Sequence, residues 1–380
     1  LGTFIDNHHV KIQKSNEENK TIYAENIIIA TGSKPRTIPN IDVDEKIIMT
    51  SDGVDHMKSF PKSMVIVGAG VIGCEYATIF SNFGKTKVYL IDRSDRILPF
   101  EDTDISDMIS KNLKEKGVTI HNKAQLERLE VKDGEVEYEL SYKDGKKEVI
   151  RVEKALLSVG RKLCIDGLKM ENAGVTLSKR GVHIGDINTQ TNIPNIYVVG
   201  DASGHISLVN VGELEGRYAV ERMFSKKYYP LNYKNICTIM FLQPEVASVG
   251  INEKTCIEEN IPVKVVKLDY SCIARAIAMR KTEGFFKIIV TDDKKMKILG
   301  MRAVGEHASS AIQGVGLLMK MDRNIHELAE MVHPHPSIIE GIQECVRMLL
   351  NKSIFKASIF KDKLSCYRRI GEYVEDLQRL

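Results

Sequence analysis

The chain has 380 residues, 43% hydrophobic and 28% charged, and a formal net charge of +3. That balance is ordinary for a globular protein and gives no reason to expect nucleic acid or an anionic membrane as a partner. No apolar run reaches the roughly 18 residues of a spanning helix, and seven scattered cysteines without a CxxC pair argue against a zinc site or a disulfide framework.

Phe4-Ile5, Val10-Lys11-Ile12 and Ile27-Ile28-Ile29-Ala30 read as short strands, the last running into Thr31-Gly32-Ser33, and Pro35, Pro39 and Pro61 mark loops. From Met64 the pattern becomes strand, glycine turn, helix, strand, the signature of a βαβ unit. Residues 131–157 alternate around Asp133-Gly134 and Asp144-Gly145, which predicts antiparallel strands. A second apolar run, Ile196-Tyr197-Val198-Val199, ends in Gly200-Asp201, and a helix is expected over about 209–225. From about residue 236, strands such as Phe285–Val290 precede helices near 308–321 and 336–350, an α+β pattern. The residues after Asn351 read as a basic, polar extension with a helix at 371–380.

Met64-Val65-Ile66-Val67 reads as a buried strand, and Gly68-Ala69-Gly70-Val71-Ile72-Gly73 follows it as a GxGxxG on a strand-to-helix turn. Gly68 permits the tight turn, Gly70 lets the backbone approach a pyrophosphate, and Gly73 lets the helix pack on the strand. The helix N-terminus offers free N–H groups and a partial positive charge to the phosphates. A lone GxGxxG is weak evidence. Here the next strand, Val88-Tyr89-Leu90-Ile91, ends in Asp92, about 20 residues on, where a carboxylate can accept from a ribose 2′-OH. Asp92 favours NAD over NADP because it would repel a 2′-phosphate, although Arg93 stands beside it.

Asp201 ends a buried strand, where a carboxylate suits a sugar or polyol hydroxyl; the alternative is a helix N-cap. Val332-His333-Pro334-His335-Pro336-Ser337-Ile338-Ile339-Glu340 carries a further constellation. Pro336 suits the first helical position, with His335 at the cap. Glu340 then falls just over one turn later, within reach of the imidazole, which is the base–orienter pairing of a catalytic triad. Histidine titrates near neutral pH, as a general base should. The plainer alternative is a pair of cap histidines before an ordinary helix. His333-x-His335 as a metal pair has no cysteine or carboxylate cluster to support it, so no metal is expected.

These segments, in this order, resemble the pyridine nucleotide-disulfide oxidoreductase family (class I). The resemblance covers about 350 of the 380 residues, from residue 2 onward. Ile27-Ile28-Ile29-Ala30-Thr31-Gly32-Ser33 resembles the strand that closes the first part of the family's flavin domain. Leu156-Leu157-Ser158-Val159-Gly160-Arg161 resembles the junction back into that domain, and Ile196–Asp201 resembles the second flavin signature. The implied fold is α/β: an interrupted FAD domain at 1–60 and 161–235, an inserted Rossmann-like NAD domain at 61–160, an α+β dimerisation domain at 236–351, and an extension at 352–380.

The resemblance implies FAD contacts at Gly2, Thr31, Gly32, Ser33, Asp201, Ser207, Leu208, Val209 and Asn210, with Asp201 on the ribityl chain and 207–210 along the isoalloxazine. Family members often carry histidine where Asn210 stands. It implies NAD contacts at Gly68, Ala69, Gly70, Val71, Ile72, Gly73, Glu75, Asp92 and Gly160. It assigns His335 and Glu340 as the catalytic histidine and its paired glutamate. It also implies a homodimer in which that histidine serves the partner's active site, a small dithiol or lipoyl-domain substrate, a place beside 2-oxoacid dehydrogenase complexes, and a cytoplasmic or organellar location.

The family's N-terminal unit, with its own GxGxxG and, in the disulfide reductases, a CxxxxC pair, does not occur in this sequence. The expectation is therefore a chain lacking its N-terminal part. The implied reaction is oxidation of a dithiol, dihydrolipoamide first, by NAD through FAD. The alternatives are a soluble NAD(P) transhydrogenase of the same fold and a non-catalytic NAD-binding and dimerisation module.

Overall fold

The computed structural model describes residues 1–13, 18–178, 185, 188–225, 229–355, 357–360 and 362–377. It falls into two compact units: Leu1–Arg36 with Gly160–Tyr233, and Thr37–Val159 with Lys234–Leu380.

In the first unit, Gly2–Phe4, His9–Ile12 and Lys20–Tyr23 form an antiparallel sheet. Ile27–Ile29 pairs in parallel with Ile196–Val198, and Ser33–Pro35 pairs antiparallel with Arg161–Leu163. Strands far apart in the chain thus lie side by side, as an interrupted domain requires. Phe4, Ile29, Met170, Ile196, Val198 and Ala202 make their shared core.

The second unit contains a five-stranded parallel sheet in the order Ile48–Met49, Lys154–Leu157, Ser63–Val67, Lys87–Ile91, Thr119–His121. Its central strands are buried on both faces, so they read as continuous apolar runs. Met64, Ile66, Leu90 and Leu156 enter one core cluster; Val65, Val67, Ile91, Ala155 and Leu157 enter another, as two-residue alternation dictates. Ala124–Lys132, Glu135–Tyr142 and Lys147–Val152 form the expected antiparallel sheet. The first domain boundary lies at 36–37 rather than at 60, because Ile48–Met49 pairs with Lys154–Leu157 and draws the intervening segment into the second unit.

The same unit holds a seven-stranded antiparallel sheet in the order Cys237–Met240, Val246–Gly250, Ile298–Val304, Phe285–Thr291, Val263–Asp269, Leu364–Ile370, Tyr373–Asp376. Helices Ala308–Lys320 and Glu340–Leu349 contribute Ile312, Val315, Ile342 and Val346 to its core. The extension is part of this sheet. In place of the helix expected at 371–380, Tyr373–Asp376 is a strand; 378–380 lie outside the described residues. Ile370 pairs with Tyr373, so Gly371 and Glu372 form a two-residue hairpin turn with Gly371 at φ +55°. Leu364 and Cys366 alternate into the core, which fixes the register.

Candidate functional site

The glycine turn joins Ser63–Val67 to the helix Val71–Phe83. A Cβ on Gly73 would lie 1.8 Å from the Gly68 carbonyl oxygen, and one on Gly68, at φ +102°, would lie 2.6 Å from the Ser158 oxygen. Both glycines are therefore demanded by packing. A Cβ on Gly70 would meet nothing within 4 Å. That open face, with no side chain capping the helix, leaves backbone N–H groups free for phosphate oxygens. Ser158, which sequence reasoning did not single out, holds the turn by donating to the carbonyls of Val67 at 2.9 Å and Gly68 at 2.8 Å.

Asp92 does more than the sequence suggested. Its Oδ2 accepts the Ala69 N–H at 2.7 Å and its Oδ1 accepts the Ser94 N–H at 2.8 Å, so the carboxylate ties its own loop to the glycine turn. Glu75 accepts the Phe241 N–H at 2.9 Å, joining the helix to the loop after Cys237–Met240. Gly160 lies in the other compact unit, at φ +102°, with its carbonyl accepting the Arg36 N–H at 3.0 Å.

In the first unit, the ends of the three flavin-type segments meet. Ser33 Oγ donates to Asp201 Oδ2 at 2.5 Å. Arg161 Nε donates to Ser33 Oγ at 2.6 Å and stands 3.5 Å from Asp201, and its Nη2 donates to the Ser33 carbonyl at 2.8 Å. Asp201 is not an N-cap: it belongs to the short 3₁₀ turn Gly200–Ser203, which has Val199 at its cap and no side-chain capping bond. Thr31 and Gly32 lead into Ser33, with Gly32 at φ +72°, and Gly2 pairs with Ile12 in the first sheet. Ser207, Val209 and Asn210 are exposed at the start of the helix Val209–Phe224, where Leu208 is an extended cap residue without a side-chain bond. Sequence reading quoted Arg161 in the junction 156–161 but gave it no role, and it missed Glu215. The buried Glu215 accepts the Gly200 N–H at 2.6 Å and the Tyr233 hydroxyl at 2.8 Å, and so orients the turn that carries Asp201. The junction 156–161, which ends in Arg161, was the signal that could have pointed to it.

His335 Nδ1 stands 2.8 Å from Glu340 Oε1, and Glu340 Oε2 accepts the Ser337 N–H at 2.9 Å. The His335 side chain is 73% exposed, against 26% for Glu340. Burial pushes the Glu340 carboxyl up, but the Ser337 N–H and His335 outweigh it and hold the carboxyl below its ordinary range. The helix starts at Glu340, with Ile339 as cap, rather than at Pro336. His335 precedes a proline, which disfavours helical backbone, and Glu340 reaching back to the Ser337 N–H is the returning half of a capping box. The other half is not made, since Ser337 Oγ is buried without a partner. His333 turns Nδ1 to the Met331 carbonyl at 3.2 Å, and burial lowers its pKa.

The pattern described as pyridine nucleotide-disulphide oxidoreductase matches residues 2–216, and the dimerisation domain of the same name matches 236–346. The chain belongs to this family. It is a flavoprotein oxidoreductase of the FAD- and NAD-dependent kind, with the family's homodimerisation domain. It is similar to a dihydrolipoyl dehydrogenase of Bacillus subtilis, 33% identical over 351 residues, covering 91% of this chain and 73% of the relative. It is likewise similar to one of Buchnera aphidicola, 35% identical over 329 residues, covering 86% and 69%. Among solved structures, the HOCl-induced flavoprotein disulfide reductase RclA of Escherichia coli superposes with a TM-score of 0.81 at 27% identity, over 92% of this chain and 78% of that one. LpdA of Mycobacterium tuberculosis shares the fold, with a TM-score of 0.84 at 24% identity over 92% and 76%. The family's cofactors fit the residues present: Gly70 leaves the opening a pyrophosphate needs, and the uncapped start of Val209–Phe224 offers free N–H groups. Among the described residues, no helix is long and apolar enough to cross a membrane.

Proposed function

We propose that the protein oxidises a dithiol of the dihydrolipoyl type with NAD, and that His335 is the base, positioned by Glu340. The observation that carries this reading is the 2.8 Å contact between His335 Nδ1 and Glu340 Oε1. It turns Nε2 away from the carboxylate, so that Nε2 is the nitrogen available to a substrate thiol. Taking the thiol proton onto Nε2 leaves a thiolate, the reactive form of the substrate sulfur. The ring then carries a positive charge that Glu340 stabilises, as an orienting carboxylate does in a triad. Substrate specificity for a lipoyl group follows the dihydrolipoyl dehydrogenases that the chain resembles. Lipoyl domains of 2-oxoacid dehydrogenase complexes are the proposed protein partners, and the cytoplasm the proposed location.

When bound, FAD and NAD supply the electron-pair transfer. The chain's own part is to hold them. Residues 68–73 would receive the pyrophosphate of NAD, Asp92 its ribose through the second lone pairs of its oxygens, and Glu75, in the helix Val71–Phe83, would border the same site. Asp201, buttressed by Ser33 and Arg161, would meet the ribityl hydroxyls, and Ser207–Asn210 the isoalloxazine edge. Gly2, Thr31 and Gly32 complete the proposed flavin set.

The test is dithiol-dependent NAD reduction by the His335→Gln protein. We expect a fall of about 100-fold, the scale of general-base loss, with NADH oxidation by an artificial one-electron acceptor kept, because that reaction needs no thiol deprotonation. Near-wild-type dithiol turnover would refute the assignment.

A further inference from the structure

We propose that Ser353, in the extension after the helix Glu340–Leu349, is a positioning residue for the His335–Glu340 pair, acting through the buried carboxylate of Glu344; the proposal rests on the reading of His335 as the base. Three observations carry it.

The first is how lightly that helix is fixed at its start. Its cap residue, Ile339, has no side-chain hydrogen bond to give, and Ser337 Oγ is without a partner among the described residues. The Glu340 carboxylate reaches back instead, to the Ser337 N–H at 2.9 Å. Ile342, Cys345, Val346 and Leu349 hold the helix to its core. Apolar packing is non-directional, whereas a hydrogen bond fixes distance and angle together. The setting of the helix along its axis therefore depends on the polar contacts it makes further down.

The second observation is the contact that Glu344 makes. It stands one turn beyond Glu340, a rise of about 6 Å along the helix, and is 4% exposed. A carboxylate buried to that degree needs hydrogen-bond partners. Ser353 Oγ donates to its Oε1 at 2.5 Å, and Arg347 Nη1 stands 3.4 Å from its Oε2. Arg347 lies on the same helix and moves with it. Among the described residues, Ser353 is the side chain that ties Glu344 to a different part of the chain.

The third is that Ser353 is itself anchored. Its Oγ accepts the Phe355 N–H at 3.1 Å, and Phe355 and Phe360, with ring centroids 5.4 Å apart, pack on the same core. The strand Leu364–Ile370 then pairs with Val263–Asp269. The dimerisation domain of the family ends at residue 346, so this anchor lies beyond it. The His335–Glu340 contact measures 2.8 Å, and such a bond weakens once the atoms part beyond about 3.2 Å. A helix shift of about 0.5 Å is enough to loosen it. Without the Ser353 hydroxyl, Glu344 loses its fixed donor, the helix gains that freedom, and Nδ1 of His335 is held less firmly as the N–H nitrogen.

The test is nitrogen-15 NMR of the imidazoles in the purified 380-residue chain, in alkaline buffer where histidine rings are neutral; it needs neither flavin nor turnover. His335→Gln identifies the His335 signals by their loss. In the wild type, the proton of His335 should sit on Nδ1. Ser353→Ala should lower the ratio of the Nδ1–H to the Nε2–H tautomer by about threefold or more, the scale of one lost hydrogen bond. Ser353→Thr keeps the hydroxyl and should restore the ratio. Tyr367→Phe removes a 2.7 Å bond from the same extension to Glu253 and should leave the ratio unchanged. An unchanged ratio in Ser353→Ala, or an equal fall in Tyr367→Phe, would overturn the proposal while leaving His335 paired with Glu340. A wild-type His335 with its proton on Nε2 would overturn that pairing as well.

Discussion

Glu340 holds two partners with one carboxylate: His335 Nδ1 lies 2.8 Å from Oε1, and the Ser337 N–H lies 2.9 Å from Oε2. The same group that orients the imidazole also shapes the loop that presents it. Glu340→Gln keeps an acceptor but removes the charge, so dithiol turnover should fall by about tenfold or more through loss of imidazolium stabilisation. The carboxyl is held below its ordinary range in the folded protein. Its contribution to stability is then fully present above the ordinary value of about 4.3 and is lost as pH falls through the lowered folded value. Thermal unfolding of wild type and Glu340→Gln should accordingly differ at pH 7 and converge in acid. A gap that stays constant down to pH 3 would contradict this.

Gly70 and Gly73 should respond in opposite ways to the same substitution. Gly73→Ala places a methyl 1.8 Å from the Gly68 carbonyl oxygen, so backbone must move, at a cost of about 2 kcal/mol or more. Gly70 has φ −76° and open space where a Cβ would go, so Gly70→Ala should leave the unfolding midpoint nearly unchanged. The methyl would instead occupy the approach to the phosphates, and nucleotide affinity should drop by about tenfold or more. Unfolding curves and NAD titration of the two variants check both halves. Equal stability of the two would show that the turn tolerates a Cβ at Gly73.

What the sequence made legible follows from how local each constraint is. Gly73 is fixed by its contact with Gly68, and Gly68 by a φ of +102°, both within one turn, so their spacing could be read, as could the separation of His335 from Glu340. The parallel pairing of Ile27–Ile29 with Ile196–Val198 was anticipated only through the order of family-like segments, because nothing local encodes it. The strand Tyr373–Asp376 was misread as helix: its register depends on Leu364 and Cys366, which pair with Leu268 and Val266, about a hundred positions earlier, and enter their core. The roles of Ser158, Arg161 and Glu215 were missed for the same reason. Each acts on a backbone group that only the folded chain brings within reach.

Asp201, Ser33 and Arg161 form a mutually dependent trio. Asp201→Ala removes the acceptor of the Ser33 hydroxyl and leaves the Arg161 guanidinium without its carboxylate. Asp201→Asn preserves the acceptor oxygen and most of the shape. If the trio receives the flavin's polyol chain, the alanine variant should retain markedly less flavin than the asparagine variant, by about tenfold in affinity. Absorbance near the flavin bands after gel filtration, with FAD added in excess beforehand, measures this directly. Identical retention in both variants would place the ribityl chain elsewhere.

The most buried charge in the second unit sets the last expectation. Lys287, 3% exposed, stands 3.1 Å from Asp102, 2.8 Å from Asp104 and 3.2 Å from Glu253. It ties the start of the helix Thr103–Glu115 to the strand Phe285–Thr291 and the helix Glu253–Glu258. Burial alone would lower the lysine's pKa, but the three carboxylates outweigh it and raise the value, and Lys287 with Lys267 holds Asp104 below its ordinary range. Lys287→Met matches the length of the stem and deletes the charge, leaving carboxylates without their shared cation. Removing one partner of a buried pair costs about 3 kcal/mol or more, so the unfolding midpoint in denaturant should fall clearly at pH 7. Asp104's depressed pKa means that the wild-type contribution is present above the ordinary aspartate value of about 3.9 and is lost as pH falls through the folded value. In the methionine variant, acid neutralises carboxylates that have lost their cation and so relieves it. The penalty should therefore shrink between pH 7 and pH 4, and a penalty that grows on acidification would show that the lysine, not the carboxylates, is the group whose desolvation dominates.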